Sequence, residues 1–219
     1  QYEAFAVEMA ENDGAISFES RQKLATDAFR HTASYDAAIA EYMMDKMKLE
    51  VAPSLHITAN KSQDLRYGEN PHQKAAVYGR QAEYIDVLHG KQLSYNNFLD
   101  LDAALRLIND FSKESPCCAI FKHTIPCGVG LAENLVDAYR KAFATDKVSP
   151  FGGIVVFNKK LDLKAAKAVD EIFTELVIAP EFEDDALAFL KEKKNRRLIR
   201  FQPDQMKGER VEVRSIFGG

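Results

Sequence analysis

Lysine and histidine stand side by side at 122 and 123, where the apolar run Cys117-Cys118-Ala119-Ile120-Phe121 stops and Thr124-Ile125-Pro126-Cys127-Gly128-Val129-Gly130 begins. A neutral imidazole with a pKa near the working pH can take a proton from a weak nucleophile, and an adjacent ammonium can neutralise an oxyanion or protonate a leaving group. The apolar run has the length of a fully buried strand, and the proline and two glycines after it predict a turn. Just past the carboxyl end of a strand in an open α/β sheet, Lys122 and His123 would face the crevice where ligands bind. Consecutive strand residues point to opposite faces, so both can act on one ligand only if the strand has ended by Lys122. A turn histidine beside a solvated strand-end lysine has the same sequence, and the pair alone leaves both readings open.

Further residue sets could serve the same chemistry. The run Asp64-Leu65-Arg66-Tyr67-Gly68-Glu69-Asn70-Pro71-His72-Gln73 offers a guanidinium for a phosphate and a ring beside a base, though an ordinary turn with an exposed Arg-Tyr pair also fits it. Gly152-Gly153, in Ser149-Pro150-Phe151-Gly152-Gly153-Ile154-Val155-Val156-Phe157-Asn158, reads as a turn that would also let a ligand approach the backbone. Pro126-Cys127 invites comparison with zinc deaminases, whose signature is His-x-Glu and Pro-Cys-x-x-Cys; here the second cysteine is missing and His123 leads into Thr124-Ile125. No metal is expected. Lys191, Lys193, Lys194, Arg196, Arg197 and Arg200 form a basic run that could be offered to nucleic acid, but it lacks interleaved aromatics and sits at a helix end, where cations are favoured by the dipole.

The elements that must hold these residues follow from periodicity. Gln1 to Asp13 reads as the end of a helix, uncapped at its start, so the chain is expected to begin mid-protein. Ser17 is a candidate N-cap for a second helix to about Met47, with Leu24, Ala28, Tyr35, Ile39, Tyr42 and Met43 as a packing stripe. Pro53 and the alternating Leu55 and Ile57 then replace the helical pattern, so a boundary is placed near residue 50, giving a helical segment 1–50 and a domain 51–219. Strands are expected at Ala75 to Tyr78, Tyr84 to Leu88, 117–121, Ile154 to Phe157, Leu176 to Ile178 and Leu198 to Phe201. Helices fall between the later ones: the stripe Leu101, Ala104, Leu105, Ile108, Phe111; the stripe Leu135, Tyr139, Ala142, Phe143; Asp162 to Phe173; and Asp184 to Lys194. Such alternation implies an α/β layer structure with a mainly parallel sheet and right-handed crossovers.

Composition bounds the rest. With 219 residues and 46% hydrophobic content the chain can bury a sizeable core, and a net charge of -4 gives no basic footprint for nucleic acid. No run is apolar enough to span a membrane and no signal peptide opens the chain, which reads as soluble and cytoplasmic. Three cysteines, two of them neighbours, argue against a disulfide framework.

Three motifs in register, the Arg66-Tyr67-Gly68-Glu69-Asn70-Pro71 run, Lys122-His123-Thr124-Ile125-Pro126-Cys127-Gly128 and Ser149-Pro150-Phe151-Gly152-Gly153, closely resemble the bifunctional purine-biosynthesis enzymes that join aminoimidazole carboxamide ribonucleotide (AICAR) formyltransferase to inosinate cyclohydrolase. Phe29-Arg30-His31-Thr32-Ala33-Ser34-Tyr35-Asp36 and Val177-Ile178-Ala179-Pro180 extend the resemblance over nearly the whole chain. It implies a cytidine-deaminase-like α/β/α sandwich subdomain preceded by a helical segment, residues 1–50 ending the cyclohydrolase domain and 51–219 forming the first, truncated part of the formyltransferase. It also implies transfer of a formyl group from 10-formyltetrahydrofolate to the ring amine of AICAR, and, in the full-length protein, ring closure to inosinate. By the same resemblance His123 is the base and Lys122 the oxyanion or leaving-group partner. Arg66, Tyr67, Gly152 and Glu175 are the nucleotide contacts, with His72 as their neighbour, and the full-length protein works as a homodimer with no nucleic-acid or membrane partner. Much of the folate site would then lie beyond this chain, which alone would be inactive. The alternatives are a deaminase-like nucleotide-binding module without catalysis and a nucleic-acid-binding fragment.

Overall fold

The computed structural model describes residues 2–49, 53–206, 213, 216 and 217, and the chain divides into two compact units, Gln1–Asn60 and Lys61–Gly219. The first holds α1 (Tyr2–Glu11) and α2 (Phe18–Lys46). Ser17 caps α2 as expected, its hydroxyl accepting the Ser20 N–H at 3.1 Å. The Glu8 carboxylate reaches over from α1 to accept the Ser17 N–H at 2.9 Å and the Ser20 hydroxyl at 2.5 Å, which fixes the turn between the helices. No residue of α2 is buried, so the stripe read as packing is not buried; Tyr35 is 64% exposed.

The second unit opens with an antiparallel pair, β1 (Lys61–Leu65) and β2 (Ala75–Tyr78), closed by the loop 66–74. Leu55 and Ile57, whose alternation replaced the helical stripe, are exposed and precede β1. The remaining strands are β3 (Ile85–His89), β4 (Cys117–Lys122), β5 (Ile125–Leu131), β6 (Gly153–Phe157), β7 (Thr174–Ala179) and β8 (Arg197–Phe201). They form one sheet in the order β3-β8-β7-β6-β4-β5. Alternate residues along each strand feed opposite faces. Cys117, Ala119 and Phe121 pack with Ile154, Val156, Leu176, Ile178 and Ile199 under α3 (Tyr95–Asp110). Cys118, Ile120, Val155, Phe157, Val177 and Leu198 pack under α4 (Leu135–Thr145), α5 (Leu163–Asp170) and α6 (Asp184–Lys191). At about 1.5–3 kcal/mol for each large side chain fully buried, these two faces supply most of what holds the unit together.

The α/β/α layering is the one expected, but the sheet is mixed. Its parallel pairs are β6 with β7 and β7 with β8, while β3, β4 and β5 all pair antiparallel. The stretch after Lys122 is the reason. Its proline and glycines form strand β5, and only His123-Thr124 is turn, so β4 and β5 make a tight hairpin where an open turn was expected. Pro126 is tolerated because β5 is an edge strand. Gly128 and Gly130 are required by packing, since a Cβ on either would lie 2.0 or 2.3 Å from the carbonyl oxygen of Ala142 or Ala138 in α4.

Candidate active site

The β4–β5 hairpin sets the geometry of Lys122 and His123. Lys122 pairs with Ile125, leaving His123 and Thr124 as the two turn residues, with φ of 53° and 64°. Both central residues of a two-residue hairpin turn of this hand must be left-handed, a role usually given to Asn-Gly. Histidine and β-branched threonine each accept it at a cost of about 1–2 kcal/mol. Two bonds hold the turn: the Thr124 hydroxyl donates to the His123 carbonyl at 2.6 Å, and the Thr124 N–H donates to Oδ1 of Asp100, one turn into α3, also at 2.6 Å. His123 is exposed and Lys122 half-buried. Lys122 is the last residue of β4 and His123 lies in the turn, so strict strand alternation does not force them onto opposite faces.

Lys122 Nζ donates to the carbonyl oxygen of Phe151 at 2.6 Å, which ties the ammonium to the turn before β6. Gly152 in that turn has φ of 70°, and its N–H donates to Phe173 at 2.7 Å. A Cβ on Gly152 would make only ordinary contact with the Phe173 ring, so glycine is needed there for its backbone angle. Gly153 differs: a Cβ would lie 2.6 Å from the Phe121 carbonyl oxygen.

Glu175 lies inside β7, which begins at Thr174, two residues before the Leu176 expected from sequence. Its Oε1 accepts from Arg197 Nη1 at 2.8 Å and from Asn97 Nδ2 at 3.1 Å. Asn97 also closes the N-terminal cap of α3 with Ser94. Burial pushes the Asp100 carboxyl above its ordinary range and the charge of Glu175 adds to this, while the Thr124 N–H and His123 pull it down; the net shift is upward. Lys122, His123, Gly152 and Glu175 thus gather at one end of the sheet, around the first turn of α3. That end holds the carboxyl terminus of β4 and the amino termini of β6, β7 and β8. The rule that places sites at the carboxyl ends of parallel strands therefore does not account for it, because β4 runs against its parallel neighbours.

Arg66 and Tyr67 lie on the β1–β2 loop and pair with each other, guanidinium to hydroxyl at 3.0 Å and over the ring at 4.8 Å. The loop is closed by Gly68 N–H to Gln73 and by Asn70 N–H to the Gln73 side chain. His72 is exposed on it. Among the described residues, no bond joins Arg66, Tyr67 or His72 to Lys122 or His123. The nearest tie is Gln92 Nε2 to the Asp64 carbonyl at 3.3 Å, beside Lys91, whose carbonyl accepts from Arg197.

Asn97, Asp100 and Arg197 are the residues that sequence reasoning missed. The signal for Asn97 was present: a Ser94-x-x-Asn97 cap and an amide at the head of the stripe Leu101, Ala104, Leu105, Ile108. Arg197 was hidden in the basic run, which the fold breaks up. Arg196 is 1% exposed on its side chain and pairs with Asp170 at 2.6 Å, Lys193 joins the same carboxylate, and Arg200 pairs with Asp86. Four of the six cations offered to nucleic acid are thus held in ion pairs.

Among the described residues, no group of three or more His, Cys, Asp or Glu is placed to hold a metal. Burial, with Asp146 nearby, raises the Cys127 thiol above its usual range, the opposite of what a thiolate nucleophile requires. No helix of the described residues is long and apolar enough to cross a membrane. An apolar cleft of about 320 Å³ lined by Tyr84, Ile85, Phe98, Leu101, Leu105 and Met206 includes none of the candidate residues.

The family model described as "AICARFT/IMPCHase bienzyme" matches residues 1–219. Proteins named "Bifunctional purine biosynthesis protein PurH" are similar throughout. The one from Chloroflexus aurantiacus is 49% identical over 207 residues, 94% of this chain and 40% of its own length. Those from Halalkalibacterium halodurans and Bacillus cereus are 45% and 43% identical over 224 residues, covering 100% of this chain and 43% of theirs. The chain therefore spans about two fifths of the length of these relatives. A solved dCMP deaminase from the cyanophage S-TIM5 is 12% identical with a TM-score of 0.37, covering 44% of this chain and 93% of its own. A family match over every residue, with relatives 45% to 49% identical over 94% to 100% of its length, shows that this chain belongs to the AICARFT/IMPCHase bienzyme family.

Proposed function

We propose that residues 51–219 carry the acceptor-nucleotide side of a formyl transfer, with AICAR as acceptor and 10-formyltetrahydrofolate as donor, and that residues 1–50 end the cyclohydrolase part of the same protein. The observation that supports this reading is the placement of Lys122, His123 and Glu175 at one end of the sheet, beside the turn that carries Gly152. The ring amine of AICAR is a weak nucleophile because its lone pair is delocalised into the imidazole and carboxamide. As the carbon–nitrogen bond forms, His123 accepts the amine proton, a role open to the exposed imidazole of a turn. Lys122, held by Phe151, presents an ammonium to the charge that grows on the formyl oxygen or to the departing folate nitrogen. Glu175, oriented by Arg197 and Asn97, and Gly152 contact the nucleotide. Arg66 reads its phosphate and Tyr67 its base, with His72 beside them. The working protein is a homodimer in this reading.

Calorimetry with AICAR against the same ribonucleotide lacking the carboxamide tests the binding half: preferential heat for AICAR is expected, and equal heats sink it. Formyl transfer by the full-length protein, lost in His123→Ala and Lys122→Ala, tests the chemical half.

A further inference from the structure

We infer that Asp100 is a positioning residue for His123, acting through the backbone of the hairpin turn. The inference rests on the formyl-transfer reading and extends it to a residue outside the motifs that carry the family resemblance. His123 cannot choose its own direction. It occupies the first of two consecutive left-handed positions, at φ of 53°, and Thr124 occupies the second at 64°. Neither residue favours that region, and for a β-branched side chain it is a genuine outlier. Strain of this kind persists only where surrounding structure imposes it. The imposing group is visible: Asp100 Oδ1 accepts the Thr124 N–H at 2.6 Å, a charge-assisted bond across twenty-four positions of sequence, anchored on α3.

The anchor is rigid. Asp100 stands three residues after Asn97, which is locked by the Ser94 cap on one side and by Glu175 on the other, and it is followed by the buried Leu101, Ala104 and Leu105. The first two turns of α3 therefore set Glu175 through Asn97 and His123 through Asp100. The carboxylate is held there against its own preference, since its burial and the charge of Glu175 raise it above the ordinary range. Without the bond the turn relaxes, and an imidazole displaced by about 1 Å can lose on the order of a hundred-fold in rate.

The test uses the full-length protein. Asp100→Ala is expected to lower kcat for formyl transfer by roughly 10- to 100-fold with KM for AICAR little changed. Thr124→Gly, which removes the penalty for positive φ, should restore most of that loss when combined with Asp100→Ala. In a His123→Ala background, Asp100→Ala should cost almost nothing more, because both act through one group. A merely structural carboxylate would give neither the rescue nor the non-additivity. Wild-type kcat in Asp100→Ala, or a loss that Thr124→Gly fails to restore, overturns the inference. Should Asp100→Ala not fold by circular dichroism, Asp100→Asn decides: it keeps an acceptor oxygen and should retain kcat within about ten-fold, and a greater loss counts against positioning by this bond. Amide hydrogen exchange at Thr124 needs no activity. It should quicken in Asp100→Ala, and unchanged exchange overturns the inference, whereas absence of formyl transfer in the wild type would sink the functional reading on which it rests.

Discussion

The ammonium of Lys122 is bonded to the carbonyl oxygen of Phe151 at 2.6 Å, so the last residue of β4 reports directly on the turn that carries Gly152. The ammonium and the Gly152 turn are thereby coupled across two antiparallel strands. An arginine at 122 could still donate to Phe151, but its planar fork cannot place a compact ammonium on the same axis. Turnover of Lys122→Arg is therefore expected to stay well below wild type, at or little above Lys122→Ala, in steady-state assays of formyl transfer. Full recovery by arginine would remove Lys122 as a point donor.

His123→Ala should cut turnover by roughly a hundred- to ten-thousand-fold, the usual worth of a positioned acid–base group, and leave AICAR affinity nearly unchanged. Single-turnover rates and calorimetric Kd measured on the same preparation separate the two effects. A mutant of comparable turnover would exclude His123 as the base.

The two glycines of the 152–153 turn should behave differently. Gly152→Ala has room for its methyl and suffers only from φ of 70°, a destabilisation of about 1–2 kcal/mol. Gly153→Ala must move the Phe121 carbonyl, 2.6 Å from the new Cβ, and should fall further in Tm while dragging the end of β4, and so Lys122, out of place. Gly130→Ala, with α4 backbone at 2.3 Å, should be comparably severe. Thermal melts of the three variants check the order.

Asp170 shows how pH should act on stability. Its burial works to raise its carboxyl, but bonds from Lys193 and Arg196 outweigh that and hold it below the ordinary carboxylate range. A depressed folded-state pKa contributes stability that is fully present above the unfolded value and is lost as pH falls through the folded one. Asp170→Asn should therefore cost on the order of 3 kcal/mol at pH 7, largely because Arg196 is left buried and uncompensated. The gap to wild type should close progressively below about pH 4. Denaturant melts at pH 7 and pH 3 measure it, and a gap that is constant with pH would show the pair to be energetically silent.

Much of this protein was decided by local pattern. Helix stripes such as Leu101, Ala104, Leu105 and Ile108, the Ser17 cap and the buried 117–121 strand are written at spacings of three, four or one residue, and α/β layering follows from their alternation. The chemical candidates rested on resemblance to a family, because lysine beside histidine at a strand end fits a plain turn equally well. The sheet's mixed directions were not legible, since Gly128 and Gly130 look like turn residues until α4 is seen pressed against β5, and only that contact explains them. The partners of Glu175 and His123 lay beyond local reading for the same reason. Asn97, Asp100 and Arg197 are tens of residues away along the chain from the groups they hold, and a hydrogen bond across such a gap leaves no period in the sequence. Residue type and spacing determined which groups could react; tertiary packing, through strand direction and the placement of α3, decided which way they face.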